Sequence, residues 1–172
     1  MISMSTITTS RPSFVRTPSA LLSGFVASPA LSAKLQLVLV DLIELHLQGK
    51  QAHWNIVGTN FRDLHLLLDE IVDSAREASD TIAERMRALQ ATPDGRSETV
   101  TAMTSLPELP AGQIDTAEAV HLISQRLIAV ATRARAVHDE VDAEDPTSAD
   151  LLHVVIESVE KFAWLMASEY GR

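Results

Sequence analysis

Two pairs of side chains that can bind metal ions lie in one segment of the chain. His65 and Asp69 are four residues apart, and so are Asp80 and Glu84. Residues spaced i and i+4 lie on the same face of an α-helix, so each pair offers two ligand groups on one side. The spacing therefore predicts a metal-binding helix over residues 62–87.

The two pairs are too far apart to hold one ion within a single chain. Asp80 follows Asp69 by eleven residues, so the pairs share a face but lie roughly 16 Å apart along the helix axis. An antiparallel copy of the helix, related by a two-fold axis, would remove this conflict. The register that places His65 opposite Glu84 also places Asp69 opposite Asp80. This arrangement predicts two identical sites, each shared between two subunits.

An alternative interpretation is that these polar residues only form the solvated face of an amphipathic helix. The apolar residues of the segment fall within about 40° of one another on a helical wheel and mark a core-facing stripe. The stripe consists of Leu64, Leu68, Ile71, Ala75, Ala78, Ile82, Met86 and Leu89. The charged residues lie roughly 100 to 200° away, where surface helices are usually polar. Spacing alone leaves both interpretations open.

A further histidine precedes this helix. Apolar residues repeat at spacings of four and three, which predicts a first helix that runs into the fifties. This stripe consists of Leu31, Leu35, Val38, Leu42 and Leu45. His53 falls on the inward side of the same helix, and a turn-forming run of Asn55, Gly58, Thr59 and Asn60 follows it. We therefore expect His53 to lie close to His65 across the turn.

Residues on both sides of this turn follow a recognisable order. They are Lys50-Gln51-Ala52-His53-Trp54-Asn55, Gly58, Asn60-Phe61, Leu64-His65, Asp69-Glu70 and Asp80-Thr81-Ile82-Ala83-Glu84-Arg85. This order resembles the signature of the Dps family, the bacterial mini-ferritins that are also named DNA-binding proteins from starved cells. The resemblance extends over about residues 31–170.

The resemblance implies an all-α, ferritin-like four-helix bundle with a short extra helix between helices 2 and 3, assembled into a hollow dodecameric shell. It implies a ferroxidase that oxidises Fe(II) to Fe(III), preferably with hydrogen peroxide, and stores ferric oxyhydroxide under oxidative stress. His53, His65 and Asp69 of one subunit, with Asp80 and Glu84 of its partner, would form a diiron site. Carboxylates and neutral imidazoles suit iron. Paired Glu-x-x-His motifs, as in other ferritin-like bundles, are absent.

Two further features have both a functional and a structural interpretation. By the resemblance, Trp54 would intercept radicals near the iron, whereas its structural role would be an interior anchor at the end of the first helix. Six carboxylates fall between the last two predicted helices: Asp139, Glu140, Asp142, Glu144, Asp145 and Asp150. They form either a solvated connection or, around a three-fold axis, a negative funnel for cations. The resemblance implies a pore for iron uptake there, with Asp145 and Asp150.

The remaining elements follow from local signals. Residues 97–105 are a candidate short helix, and a third long helix is expected over residues 115–141, with Asp115 and Glu118 as a capping-box-like pair. Pro146 would end the connection, and Thr147 or Ser148 would cap a fourth helix. Its apolar face would be Leu151, Val154, Val155, Phe162 and Leu165. The other histidines have no clustered partners and are expected at the surface or core edge: His46, His121, His138 and His153.

Composition agrees with one helical domain. The chain has 172 residues, 46% of them hydrophobic, and no cysteine, which excludes disulfides and a thiol nucleophile. No apolar run reaches about 18 residues, so we expect no transmembrane helix. Residues 1–28 are rich in Ser, Thr and Pro and are expected to form a flexible arm before the bundle domain of residues 29–172. A cytoplasmic location is expected, because Ser23 and Gly24 interrupt the one stretch that resembles a signal peptide.

DNA binding is the main alternative function, and it requires lysines or arginines that contact phosphates. The formal net charge is −9, and Arg11 and Arg16 are the basic residues of the arm. Arms of a dodecamer would together offer about twenty-four positive charges, against a strongly acidic shell. A nucleoid-associated, DNA-protecting protein with weak or secondary ferroxidase activity therefore stays the second hypothesis. An inert shell with structural cation sites is the third.

Overall fold

The computed structural model describes residues 24–170, with side chains up to residue 168. Residues 1–23, which carry most of the predicted arm, lie outside the described residues. The four long helices are α1 (Pro29–Asn55), α2 (Phe61–Ala88), α4 (Thr116–Glu144) and α5 (Pro146–Tyr170), and the short α3 is Ser97–Met103. Helix α1 packs against α2 and α4, and α4 packs against α5. The predicted four-helix bundle, with its short extra helix between the second and third long helices, is confirmed.

The core consists of the apolar stripes that the sequence predicts. Leu35, Val38 and Leu42 of α1 have no exposed surface, and neither do Leu64, Leu68 and Ile82 of α2. The predicted apolar face of α5 is wrong at Val154, whose side chain is exposed, whereas Val155 and Phe162 are buried. Burial of one stripe per helix fixes the rotation of each helix about its axis.

The turn between α1 and α2 is held against the start of α4 by a small parallel sheet. Strand β1 (Ile56–Val57) pairs with β2 (Ile114–Asp115), so that Ile56 lies opposite Ile114. Gly58 has a φ of +131°, and a Cβ atom there would lie 2.8 Å from Thr116 Oγ1. Asn60 adopts the left-handed conformation directly before α2. This turn sets the end of α1 beside the start of α2 and thereby positions His53 and His65.

Side-chain caps define the starts of the first and third long helices. The hydroxyl oxygen of Ser28 accepts a hydrogen bond from Leu31 N at 3.1 Å. The backbone N–H and the hydroxyl of Ser28 donate to the Glu144 carboxylate at 2.8 and 2.7 Å. Asp115 caps α4 by accepting from Ala117 N at 2.9 Å, so the predicted start of that helix is confirmed. The chain is thus attached to the bundle from the residue before α1 onward.

The predicted cap of the last helix is wrong. Helix α5 begins at Pro146 rather than after Thr147 or Ser148. The first residue of a helix makes no N–H hydrogen bond within the helix, so proline costs no bond there, and its fixed φ suits the helix. Ser148 N donates to Asp145 O at 3.0 Å, and the Ser148 hydroxyl donates to the Asp145 carboxylate. Asp145 therefore occupies the capping position.

The acidic run is also not a solvated connection. Helix α4 continues to Glu144 and α5 starts at Pro146, so Asp145 is the single residue between them. The helix extends past the predicted residue 141 because no helix-breaking residue occurs before Pro146. All carboxylates of the run except that of Asp145 therefore project from helices.

Two buried charged residues attach the connection after α3 to the bundle. Asp41 of α1 has no exposed surface and accepts hydrogen bonds from Thr104 Oγ1, Ser105 N, Ser105 Oγ and Arg133 Nε at 2.6 to 3.1 Å. Arg126 of α4 is 1% exposed and donates to the carbonyl oxygens of Leu122, Pro107 and Glu108 and to the Gln48 side chain. Across residues 24–170, no helix has the length and apolar character needed to cross a membrane.

Candidate metal centre

His53, His65 and Asp69 form a group with the composition of a metal site. Each residue offers one ligand atom, and these atoms all lie within 4.8 Å of one another. His53, near the end of α1, is buried, and its ring stacks on that of His65 in the first turns of α2, with centroids 3.6 Å apart. His53 Nδ1 lies 3.3 Å from Asp69 Oδ1. The structure therefore brings together the three predicted ligands that come from one subunit.

The two imidazoles fix each other's orientation. His53 Nδ1 donates to the backbone oxygen of His65 at 3.0 Å, and His65 Nδ1 donates to that of His53 at 3.1 Å. A carbonyl oxygen only accepts, so Nδ1 carries the proton in both rings and Nε2 keeps its lone pair. This is how metal-binding histidines are commonly oriented, with the second nitrogen held by a backbone oxygen or a carboxylate. Both rings are thus prepared to bind a cation through Nε2.

Lys50 neutralises the carboxylate of this group. Its ammonium Nζ lies 2.5 Å from Asp69 Oδ1. The hydrogen bond from Lys50 is the largest cause that lowers the pKa of Asp69, and the nearby His53 and the charge of Lys50 add to it. Asp69 is therefore held ionised by a cation that an arriving metal ion must displace. Residue spacing gives no sign of this contact, because nineteen residues separate Lys50 from Asp69.

The other two predicted ligands do not join the triad within one chain. Asp80 and Glu84 are both exposed on α2, further along the helix than Asp69. The group that can hold a metal ion in residues 24–170 contains neither of them. This agrees with the separation along the helix axis on which the two-subunit prediction depends.

Exposed apolar side chains occur next to the triad in space or in sequence. Phe61 stacks on His65 with ring centroids 5.1 Å apart, yet its side chain is exposed. Trp54 is 68% exposed, so its interpretation as an interior anchor is wrong in the isolated chain. It lies one residue after the buried His53, which turns its ring about 100° away from the core. Leu47 and Leu66 are also exposed. An exposed aromatic ring that packs against a metal-type group, as Phe61 does, is consistent with an interaction surface.

Comparisons with known proteins assign this chain and its fold to a family. The ferritin-like domain family matches residues 32–172. DNA protection during starvation protein 2 of Deinococcus radiodurans is 38% identical over 132 residues, which are 77% of this chain and 55% of that protein. The DNA protection during starvation protein of Agrobacterium fabrum is 33% identical over 129 residues, 74% of this chain and 80% of the relative. This chain belongs to the Dps family of mini-ferritins.

A solved structure supports the same assignment. Dps from Microbacterium arborescens in the high iron form is similar to this chain with a TM-score of 0.79 and 32% sequence identity. The similarity covers 87% of this chain and 100% of that one. The chain spans only about half the length of the Deinococcus radiodurans relative, 55% of it. Membership in the family, with the ferritin-like bundle fold, is therefore confirmed.

The two residues predicted for a pore in this Dps-family chain differ in environment. Asp145 is buried and accepts two hydrogen bonds from Arg85 Nη2, at 2.7 and 3.0 Å. Burial would raise the pKa of Asp145, but hydrogen bonds from Ser148 and Arg85 and the charge of Arg85 outweigh it, so the pKa lies below its ordinary value. Asp150 is exposed in the first turns of α5. The structure therefore gives these two carboxylates different surroundings.

The four remaining histidines are only partly as predicted. His121 is exposed and forms a hydrogen bond with Gln125 at 2.9 Å, and His46 is half-buried. His138 and His153, however, stack on each other with centroids 4.4 Å apart, so the prediction that they have no partner is wrong. Two antiparallel helices joined by a single residue bring together positions equally far from the joint. The similar distances of these histidines from Pro146 were the sequence signal for this contact.

Proposed function

We propose that this protein is a ferroxidase that oxidises Fe(II) to Fe(III), preferably with hydrogen peroxide, and stores the ferric product in a dodecameric shell. The observation that carries this proposal is the group formed by His53, His65 and Asp69, whose ligand atoms lie within 4.8 Å of one another. Iron is the substrate and cargo here. Membership in the Dps family supports this choice of metal over others.

The donor set fits the chemistry. Two neutral imidazoles can bind Fe(II), and a carboxylate favours the Fe(III) that forms from it. Each of two Fe(II) ions gives up one electron, the O–O bond of peroxide accepts both, and two protons complete two water molecules. Because both electrons arrive at one peroxide molecule, no hydroxyl radical is released. Storage of iron and removal of peroxide under oxidative stress are then one activity.

A second copy of the chain would complete the site. Asp80 and Glu84 are exposed on α2 and belong to no metal-type group among the described residues of their own chain. An antiparallel copy of α2 would bring them onto the triad of the partner and would cover the exposed Phe61 and Trp54. The apolar surface around the triad supports this interface. Catalysis is thereby restricted to assembled subunits.

Two further roles belong to this proposal. Trp54, exposed beside His53, would reduce radicals that escape from the site. Asp150 would attract cations at a pore for iron uptake, whereas Asp145, bound to Arg85, would hold the joint between α4 and α5 in place. We place the activity in the cytoplasm.

DNA protection is the second candidate, because the relatives from Deinococcus radiodurans and Agrobacterium fabrum carry that name. The arm of residues 1–28, with Arg11 and Arg16, would supply the phosphate contacts, and nucleoid association would follow. The net charge of −9 opposes it. A gel shift at several salt concentrations, with the full chain and with a chain lacking residues 1–23, separates the two functions. Retardation that needs the arm and disappears with salt would establish DNA binding.

Fe(II) added without oxygen to the purified assembly, followed by peroxide or air, tests the ferroxidase. Ferric absorbance is recorded for the wild type, for Asp80→Ala/Glu84→Ala and for a control, Glu70→Ala/Glu77→Ala, which removes two exposed carboxylates from the same helix. We expect fast peroxide-driven oxidation in the wild type and the control, and its loss in the first variant. Equal, slow oxidation in all three would leave a structural or DNA-protecting shell.

A further inference from the structure

Helices α4 and α5 carry a second group of ligand-type side chains, on different elements from the triad. The rings of His138 on α4 and His153 on α5 pack with centroids 4.4 Å apart and a tilt of 30°. The two helices are joined only by Asp145, so this part of the hairpin has little freedom to separate. The relative position of the two rings is therefore set by the backbone.

A carboxylate faces the Nδ1 atom of each ring. His138 Nδ1 lies 3.1 Å from Asp139 Oδ1, and His153 Nδ1 lies 3.7 Å from Asp150 Oδ1. A carboxylate favours the proton on Nδ1, which leaves the lone pair on Nε2. Histidines that bind metals typically have this carboxylate partner on the other nitrogen. The hydrogen bond to Asp139 thus leaves Nε2 of His138 free to bind a cation, and the carboxylate of Asp150 favours the same tautomer in His153.

One of the free nitrogens is buried without a partner. His138 Nε2 has almost no accessible surface and no hydrogen-bond partner in the part of the chain that the structure describes. A buried polar atom without a partner is unfavourable unless another group binds it. His153 is exposed, and a cavity of about 230 Å³ adjoins both rings. A small cation in this cavity would therefore contact the exposed His153 first, and binding to His138 Nε2 requires that ring to turn toward the cavity.

The local charge favours a cation. Arg135 also borders the cavity, but its Nε and Nη2 atoms donate to Glu160 at 2.9 and 2.7 Å, which offsets its charge. Asp139 and Asp150 then remain as negative groups beside the rings. Asp139 also lines the cavity, so its negative charge attracts a cation that enters it.

We propose that His138 and His153 bind a divalent first-row transition-metal ion through their Nε2 atoms, with water in the other positions. Two imidazoles select ions of intermediate softness such as Zn²⁺ or Co²⁺ over Mg²⁺ and Ca²⁺, which prefer oxygen ligands. This site shares no residue with the triad and does not depend on iron oxidation. It is a separate site that accepts exchangeable metal ions.

Equilibrium dialysis of the assembled protein against Zn²⁺, with Mg²⁺ in excess, tests this site. The comparison needs wild type, His153→Gln, His138→Gln/His153→Gln and a control, His121→Gln, which removes an exposed histidine from α4. A variant of the triad, His65→Gln/Asp69→Asn, identifies the ions bound there. We expect the double variant to bind one Zn²⁺ ion fewer per chain than wild type and His121→Gln. The triad variant keeps the ion at the proposed site.

His153→Gln decides the outcome if the double variant fails to assemble, because this side chain is exposed. We expect it to weaken binding of that one ion at least about tenfold. X-ray absorption at the zinc edge, measured on the triad variant, should report imidazole nitrogen. Unchanged stoichiometry and affinity in His153→Gln, or a ligand shell of oxygen alone, would overturn the proposal and leave the two rings as a packing contact.

Discussion

His53 and His65 hold each other in place through reciprocal hydrogen bonds. Each Nδ1 donates to the backbone oxygen of the other residue, at 3.0 and 3.1 Å. The bonds join the end of α1 to the start of α2 across a turn of five residues, 56–60. The two histidines and the turn between them therefore form one structural unit.

Replacing His53 should damage this unit as well as remove a ligand. We expect His53→Ala to weaken Zn²⁺ or Co²⁺ binding at the triad by at least about 100-fold, because a ligand is removed and the ring stacked on His65 is lost, while the hydrogen bond from His65 to the backbone oxygen of residue 53 remains. Competition with a chromophoric chelator measures the affinity. His121→Ala is the matched control and should bind as the wild type does. An affinity within a few-fold of wild type in His53→Ala would contradict the assignment of this ligand.

Removing the charge of Lys50 should have the opposite effect on metal binding. In Lys50→Met, no ammonium competes with the metal ion for Asp69, and we expect binding roughly two- to fivefold tighter, the scale of a partly exposed ion pair. The gain should shrink as salt is added, since salt screens this interaction. Calorimetric titration at several salt concentrations measures both the affinity and its dependence on salt. The control is Lys34→Met, which removes an ion pair with Glu140 and should leave the affinity unchanged. Weaker binding in Lys50→Met would contradict this prediction and show that Lys50 supports the site.

The glycine in the turn should be hard to replace. Gly58→Ala places a Cβ atom 2.8 Å from Thr116 Oγ1 at a φ of +131°, and we expect a loss of about 1–3 kcal/mol in unfolding free energy. Chemical denaturation measures it. Gly112→Ala is the control, because its φ is also positive but nothing lies within 4 Å of the added atom. Equal losses in both variants would mean that the backbone conformation alone matters.

Asp41 should be among the residues on which stability depends most. Its carboxylate is fully buried with four hydrogen bonds. We expect Asp41→Ala to cost about 3–5 kcal/mol, because Arg133 and the start of the connection lose their partner. Denaturation midpoints of Asp41→Ala and of Asp63→Ala, an exposed aspartate, give the comparison. A loss below about 1 kcal/mol would show that water replaces the carboxylate.

The ion pair of Arg85 and Asp145 should make stability depend on pH. The pKa of Asp145 in the folded chain lies below its ordinary value of 3.8, so the unfolded state takes up the proton first. The stability that this ion pair contributes is therefore fully present above the ordinary pKa. It is lost as the pH falls through the pKa of Asp145 in the folded chain. We expect Asp145→Asn to be less stable than wild type by about 1–3 kcal/mol near neutral pH, with the gap closing in acid. Asp150→Asn should show no such gap, and a gap for Asp145→Asn that persists in acid would contradict this explanation.

Much of the fold was predictable, because helical periodicity is a local property. The stripes from Leu31 to Leu45 and from Leu64 to Leu89 are buried as their spacing predicts. The i, i+4 spacing also placed His65 and Asp69 together, and the turn residues placed His53 beside them. Helix ends were less predictable where two signals competed, as at Pro146, which can end a connection or begin a helix.

The amino-acid sequence by itself determined the helices, their buried faces and the three ligands of the triad, since each depends on neighbours within a few turns. Only the tertiary structure decided the contact of Lys50 with Asp69 and the burial of Asp145 against Arg85. These contacts depend on how helices are rotated and aligned against one another. Packing of the whole core sets that alignment, and no local pattern of residues contains it.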